Sequence, residues 1–285
     1  MWGQTIRFVA AFKGAPKLYL FLLLAIIGVA IFADLIAPHS PLKGDLAINL
    51  KPPVWVDGGD PSYLLGTDRY GRDILSRLIF GARISMIVAF LAIGLTATLG
   101  TFLGLISGYL GGWVDALIMR VADIFFSFPS ILLALVLAVV LGPSFQNVII
   151  IVLLILWPRF ARQVRGEALS IKEKDFVTIA RAMGVSPWKC MVRHIFPNVI
   201  PTLLVLCTLE VGHVVLLEAT LAFLGVGIPP PNPSWGVMIS EGRDWLEDAW
   251  WICLFPGISI LLTVLSINML GDWIRDRLDP KLRQI

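Results

Sequence analysis

Long apolar runs separated by short polar interruptions dominate the 285-residue chain, and the runs have lengths suited to crossing a bilayer. The pattern predicts membrane helices over residues 18–37, 84–110, 118–142, 148–158, 199–224 and 251–270. The expected fold class is therefore an all-α integral membrane protein with six transmembrane helices. Residues 1–17 precede the first helix, and a polar, turn-rich loop fills 38–83. A bundle of five helices spans 84–274, and 275–285 form a charged tail. One polar stretch, 159–197, interrupts the bundle between the fourth and fifth helices.

Local signals refine these elements. Arg7, Lys13 and Lys17 ahead of the first apolar run resemble the start of a secretory signal. The run exceeds a signal core and more spans follow, so a retained first helix is expected. Its one acid, Asp34, is placed in the headgroup layer without a role. Pro38 ends that helix, because proline cannot donate the next hydrogen bond. Arg72 and Asp73 open an amphipathic approach to the second span. That span carries Gly94, Gly100, Gly104 and Gly108, a small-residue spacing that lets helices pack closely in lipid. Arg120 and Asp123 can pair locally on the third span, which Pro129 can kink.

Composition supports the membrane class: 57% of residues are hydrophobic and 15% charged, with a mean hydropathy of +0.83. The net charge of +3 is too small and too dispersed for a nucleic-acid partner. Cys190, Cys207 and Cys253 lie in separate segments without metal-ligand spacing, so they are read as packing residues. Orientation follows from the basic residues. With six spans, 16 of the 23 Lys and Arg fall on the side holding both termini and the 159–197 stretch. The positive-inside rule makes that side cytoplasmic, so a multi-pass plasma-membrane location is expected.

Within 159–197, Phe176, Ile179, Ala180 and Met183 recur at helical spacing and predict a short amphipathic helix. Gly184 suits its C-terminal turn, and Ser186-Pro187 suits the start of a second short helix. Trp188, Met191 and Val192 are expected to pack back, and Pro197 to mark entry into the fifth span. Two short helices around a glycine bend would form a compact knob. Physics alone leaves two readings, a basic loop anchored at anionic lipid or a docking element for a cytoplasmic partner.

Three groups of polar residues are candidate sites. Glu210, His213 and Glu218 share the fifth span, where ionised groups facing lipid are costly and should face the bundle or a cavity. They could line a translocation path, or serve helix–helix hydrogen bonding and protonated burial. Asp68, Arg72 and Asp73 fit either a receptor-facing surface or an Arg–Asp clamp with helix-start chemistry. Trp235, Trp245, Trp250 and Trp251 fit interface anchors. No Gly-x-x-x-x-Gly-Lys-Ser/Thr phosphate loop occurs, so a nucleotide-driven motor would have to come from another chain. No nucleophile–base arrangement is readable, and no enzyme activity is expected.

The segment Thr178-Ile179-Ala180-Arg181-Ala182-Met183-Gly184, with Pro197 thirteen positions after the glycine, resembles the cytoplasmic "EAA" loop of ATP-binding-cassette importer permeases. Ala180, Gly184 and Pro197 match that pattern. Thr178 stands where glutamate is usual, Ile179 replaces the first alanine, and His194 and Phe196 replace isoleucine and leucine. Gly66-Thr67-Asp68-x-x-Gly71-Arg72-Asp73, Phe223-Leu224-Gly225-x-Gly227, Pro233-x-Trp235-Gly236 and Gly271-Asp272-x-x-Arg275-Asp276-x-Leu278-Asp279-Pro280 resemble the peptide and nickel branch. So does Arg193-His194-Ile195-x-Pro197-Asn198.

The resemblance implies the second permease subunit of a dipeptide, oligopeptide or nickel importer. It implies as partners a homologous permease, two cytoplasmic ATPases carrying ATP and Mg, and an extracytoplasmic solute-binding protein. No cofactor would belong to this chain. The loop would insert a coupling helix into the ATPase, through Phe176, Ala180, Arg181, Ala182, Gly184 and Pro197. A self-contained channel or secondary transporter is the alternative class. The internal repeat typical of secondary transporters is not visible.

Overall fold

The computed structural model describes residues 16–278, and its regular elements are all helices, apart from one isolated bridge between Thr67 and Asp73. The first apolar run forms α1 (Lys17–Ile31) and, past a break at Phe32, α2 (Ala33–Ile36). Asp34, although exposed, has a partner within the chain. Arg83 holds it at 2.8 Å and also donates to the Ala30 carbonyl at 2.8 Å, tying this corner to the bundle.

Residues 38–73, expected to be a loop with little core, are pinned around buried Thr67. Its hydroxyl donates to the Ile48 carbonyl at 2.5 Å and accepts the Lys51 amide at 2.9 Å. Its own carbonyl accepts the Trp251 indole N–H at 3.1 Å. Gly71 sits at φ 69°, where an added Cβ would fall 1.8 Å from the Asp45 carbonyl oxygen, so backbone crosses backbone there.

Asp73 then caps α3 (Ile74–Leu110), accepting the Ser76 amide at 2.8 Å. The amphipathic approach and the second span are thus one 37-residue helix. No breaker separates them, and Asp73 supplies the start signal for both.

The third span is not one kinked helix. α4 (Gly112–Phe126) and α5 (Ser130–Leu141) meet at 92° around Pro129. Proline lacks the N–H and disfavours helical backbone at Phe128, so the helix stops and restarts.

The fourth span fails in the opposite sense. α6 (Phe145–Lys172) continues through Pro158, where the expected helix ended, and carries the first half of the polar stretch. Pro158 is buried against neighbouring helices, which lets the ladder lose one bond without breaking.

Beyond it lie α7 (Asp175–Ala182) and α8 (Pro187–Lys189), then a π-helical turn, Cys190–Ile195. The chain continues into α9 (Phe196–Phe223), α10 (Trp235–Gly242) and α11 (Trp251–Leu278). The second short helix therefore runs without a gap into the fifth span. Pro197 lies inside this continuous run, just after the π-helical turn.

Among the described residues, four helical runs are long and apolar enough to cross a membrane: α3, α6, Pro187–Phe223 and α11. The α4–α5 pair makes a broken fifth, and α1 is a shorter apolar helix.

The glycine stripe sets the main seam. α3 and α6 run parallel, and an added Cβ at Gly100, Gly104 or Gly108 would meet Phe160 Cβ at 2.4 Å, the Ala161 carbonyl at 2.5 Å or Ala168 Cβ at 2.8 Å. Gly94, expected in the same stripe, faces open space. Val88, Ala89 and Ala92 of α3, Ile151 and Val152 of α6, and Val214 and Leu221 of α9 fill the core. Outward, Phe90, Phe102, Val139, Val140 and Leu261 are exposed, a surface suited to lipid.

Candidate functional site

Three arginines on α6 recur every third residue: Arg159, Arg162 and Arg165. Each step of three turns the side chain roughly 60° around the helix, so each reaches a different place. Arg159 Nη1 lies 2.7 Å from Glu210 Oε1 on α9. Arg162 donates to Asp123 on α4 at 2.6 Å and lies 4.2 Å over the Phe126 ring. Arg165 grips Asp115 of α4 through Nε and Nη2 at 2.5 and 2.6 Å, and the Ser107 hydroxyl donates to the same carboxylate. Asp123 thus pairs across helices rather than with Arg120. A local pair on an exposed face gains only a few tenths of a kcal/mol, whereas α6 presents a guanidinium directly.

Position along the helix matters for Arg159. It stands 14 residues from Phe145 in α6, and Glu210 stands 13 residues from Phe223 in α9. Both therefore lie ~20 Å along their helices from the Phe145 and Phe223 ends. Arg159 lies within the continuous helix α6, and not at the start of an irregular segment. Its side chain is 56% exposed, while that of Glu210 is 4% exposed.

The other two acidic-span candidates do not join this pair. His213 is exposed on the surface of α9. Glu218 is 1% exposed and accepts from the Ser85 hydroxyl at 3.4 Å, while its Oε1 has no partner. Eight residues along the helix separate it from Glu210, about 12 Å.

The knob forms as a helix–bend–helix. α7 is held by Val177 and Ala180, buried against Val164, Ala168 and Ile171 of α6 and Ile195 of the π-turn. Gly184 takes φ 81° and closes a Schellman turn, its N–H donating to the Arg181 carbonyl at 3.0 Å and that of Val185 to the Ala180 carbonyl at 3.1 Å. An added Cβ at Gly184 would meet nothing within 4 Å, so only the backbone conformation demands glycine.

Phe176, Ile179 and Met183 do not pack inward with Ala180. They are exposed, Ile179 at 58% and Met183 at 79%, and so are Arg181, Ala182 and Pro197. Of the residues expected to pack back, Met191 does, whereas Trp188 and Val192 are exposed. The knob presents an apolar face to its surroundings.

At the other end of the bundle, Asp68, Arg72 and Asp73 are all buried. Asp68 Oδ2 accepts from Arg72 Nε at 2.6 Å and from Arg77 Nη1. Glu241 of α10 meets both guanidiniums at 2.8 Å, closing a ring of two cations and two anions. This is the clamp alternative, with Asp73 as helix cap. Their side chains hold the surface from beneath and do not present it. Arg77 and Glu241 were not anticipated, since nothing in the local pattern joins residues so far apart. Above the ring opens a groove of about 520 Å³, lined in part by Leu42, Tyr70, Pro230 and Pro231.

Known proteins place this architecture. Residues 100–284 match the family model described as binding-protein-dependent transport system inner membrane component. The di/tripeptide transport system permease protein DppC of Pseudomonas aeruginosa is 41% identical over 95% of this chain and 89% of its own length. The dipeptide transport system permease protein DppC of Haemophilus influenzae is 41% identical over 95% of this chain and 92% of its own. The Escherichia coli DppC is 44% identical over 90% and 85%. A chain of the MetNI methionine ABC transporter, solved in inward-facing conformations, shares the fold with TM-score 0.60 and 19% identity, over 72% of this chain and 98% of that one. The chain belongs to the family of binding-protein-dependent transport system inner membrane components, and it is a multi-pass permease of the plasma membrane, a transport component and not a catalytic one.

Proposed function

We propose that this chain is one of two permease subunits in an ATP-driven importer of di- and tripeptides. Support for the substrate comes from the names of its relatives, which carry dipeptide and di/tripeptide transport. In this arrangement six spans carry both termini and the knob on the cytoplasmic side. The α3–α6 seam and α9 form this chain's half of the path, and a homologous permease supplies the other half. An extracytoplasmic solute-binding protein docks over the loop surface that Asp68, Arg72 and Asp73 brace from beneath. ATP and Mg belong to two separate ATPase subunits.

One observation carries the coupling role. α7 is fixed by Val177 and Ala180 yet exposes Phe176, Ile179 and Met183 at the arginine-rich end of the bundle. An apolar face this exposed outside the membrane fits insertion into a partner's groove. ATP-driven movement of that partner would then push on α7 and, through the unbroken run from Pro187 to Phe223, on α9. The test is ATP-dependent uptake into proteoliposomes holding the complete importer. Labelled dipeptide should accumulate, and excess nickel should not compete; accumulation of nickel instead of dipeptide overturns the substrate assignment.

A further inference from the structure

Arg159 is half exposed ~20 Å along α6 from Phe145, on a helix long and apolar enough to cross a membrane, and this requires an explanation. Facing lipid, its charge costs roughly 2.5–3.5 kcal/mol or more. Its Nη1 lies 2.7 Å from the buried Glu210 carboxylate, while the side chain as a whole is 56% exposed. Pro158 and Phe160 on either side are buried, so only Arg159 turns outward there.

The surroundings are polar in the same sense. Gln163, one turn nearer the knob, is exposed, as are the paired Arg162 and Asp123. His213 is exposed on α9 about one turn from the buried Glu210. Exposed polar side chains thus recur along α6 from its arginine-rich end up to Arg159, and His213 adds another on α9. Side chains of this kind face water or a partner's polar groups, not lipid tails.

From this arrangement we infer that Arg159 and His213 form a carboxylate-binding step in the translocation path, where a passing peptide's terminal carboxylate is held while Glu210 fixes the guanidinium. The inference rests on the importer function proposed above and names the group that handles its substrate. Glu210 offsets the Arg159 charge, so the pair is tolerated there. Because the Arg159 side chain stays half exposed, part of the fork is open to the planar, two-point contact that guanidinium makes with carboxylate. His213 supplies a second donor from the neighbouring helix.

The experiment uses the complete importer in proteoliposomes and labelled alanyl-alanine as probe. Arg159→Gln alone strands the buried Glu210, so the decisive variant is Arg159→Gln/Glu210→Gln, which removes both charges and keeps both amide-sized side chains. The KM for uptake should rise about tenfold or more in this double variant, as befits loss of a charge-assisted contact, and Arg159→Lys should recover part of it. In a separate arm, His213→Cys should react with a water-soluble cationic thiol reagent, and alanyl-alanine should slow that reaction.

Wild-type KM in the double variant would reduce the pair to a helix–helix tie and overturn the inference. An unreactive His213→Cys would place this position against lipid or the sister subunit and overturn it as well. Failure of the wild-type importer to accumulate alanyl-alanine would instead count against the substrate assignment on which the inference rests.

Discussion

Arg72 donates to Glu241 at 2.8 Å across 169 residues of sequence, joining the outer loop to α10 in a site almost closed to solvent. Both are members of the ring with Asp68 and Arg77, whose side chains are 2% and 1% exposed. Removing one member of a buried ion network leaves its partner uncompensated.

Glu241→Ala is therefore expected to destabilise the protein by about 3 kcal/mol or more. Thermal unfolding in detergent should show the loss as a lowered Tm. Glu241→Gln, which still accepts hydrogen bonds, should lose less. An unaltered Tm for Glu241→Ala would mean that the ring is not a structural clamp.

Packing along the α3–α6 seam makes a contrasting pair of predictions. A methyl at Gly104 would lie 2.5 Å from the Ala161 carbonyl, while Gly94 has nothing within 4 Å. Gly104→Ala should cost about 1–3 kcal/mol by forcing the helices apart. Gly94→Ala should be neutral or stabilise by up to about 1 kcal/mol, since alanine is the better helix former. Side-by-side unfolding of the two variants measures the difference.

Gly184 separates conformation from space. Its φ of 81° penalises side chains, but no atom blocks a Cβ. Gly184→Asn should retain most coupling, because asparagine visits this region at modest cost, whereas Gly184→Val should cost about 1–2 kcal/mol locally and reshape the bend. Membrane insertion should survive both. Peptide taken up per ATP hydrolysed should fall for valine and stay near wild type for asparagine.

The exposed face of α7 can be tested without transport. Ile179→Asp and Met183→Glu place charge on a largely exposed apolar surface, so folding should be unaffected within about 0.5 kcal/mol. Co-purification with the ATPase subunits should be lost. Retained co-purification would locate the ATPase contact elsewhere.

Much of this molecule can be read from residue order. The apolar runs mark the helices, the Gly184 turn is where glycine and helical spacing put it, and Asp73 caps a helix as its position implies. The errors share a cause. Pro129 breaks its span outright and Pro158 leaves its span intact, although the two prolines look alike in sequence. What differs is burial: Pro158 is enclosed by other helices that compensate for the lost bond, and the Pro129 turn is exposed. Asp123 and Arg162 illustrate the same point, since only their helices' packing brings them together.

By itself the order of residues determined a helical membrane protein, the class of transporter through its motifs, and a bend at Gly184. The helices and the bend depend on periodicity, hydrophobicity and backbone geometry, which act over a few residues, whereas the class rests on the resemblance of the motifs to a known family. Tertiary structure alone decided that Arg159 lies beside Glu210, that Asp68 and Arg72 are enclosed with Arg77 and Glu241, and that Phe176, Ile179 and Met183 face outward. Burial and charge pairing are properties of distant segments brought together, so a local pattern carries no record of which acid meets which arginine.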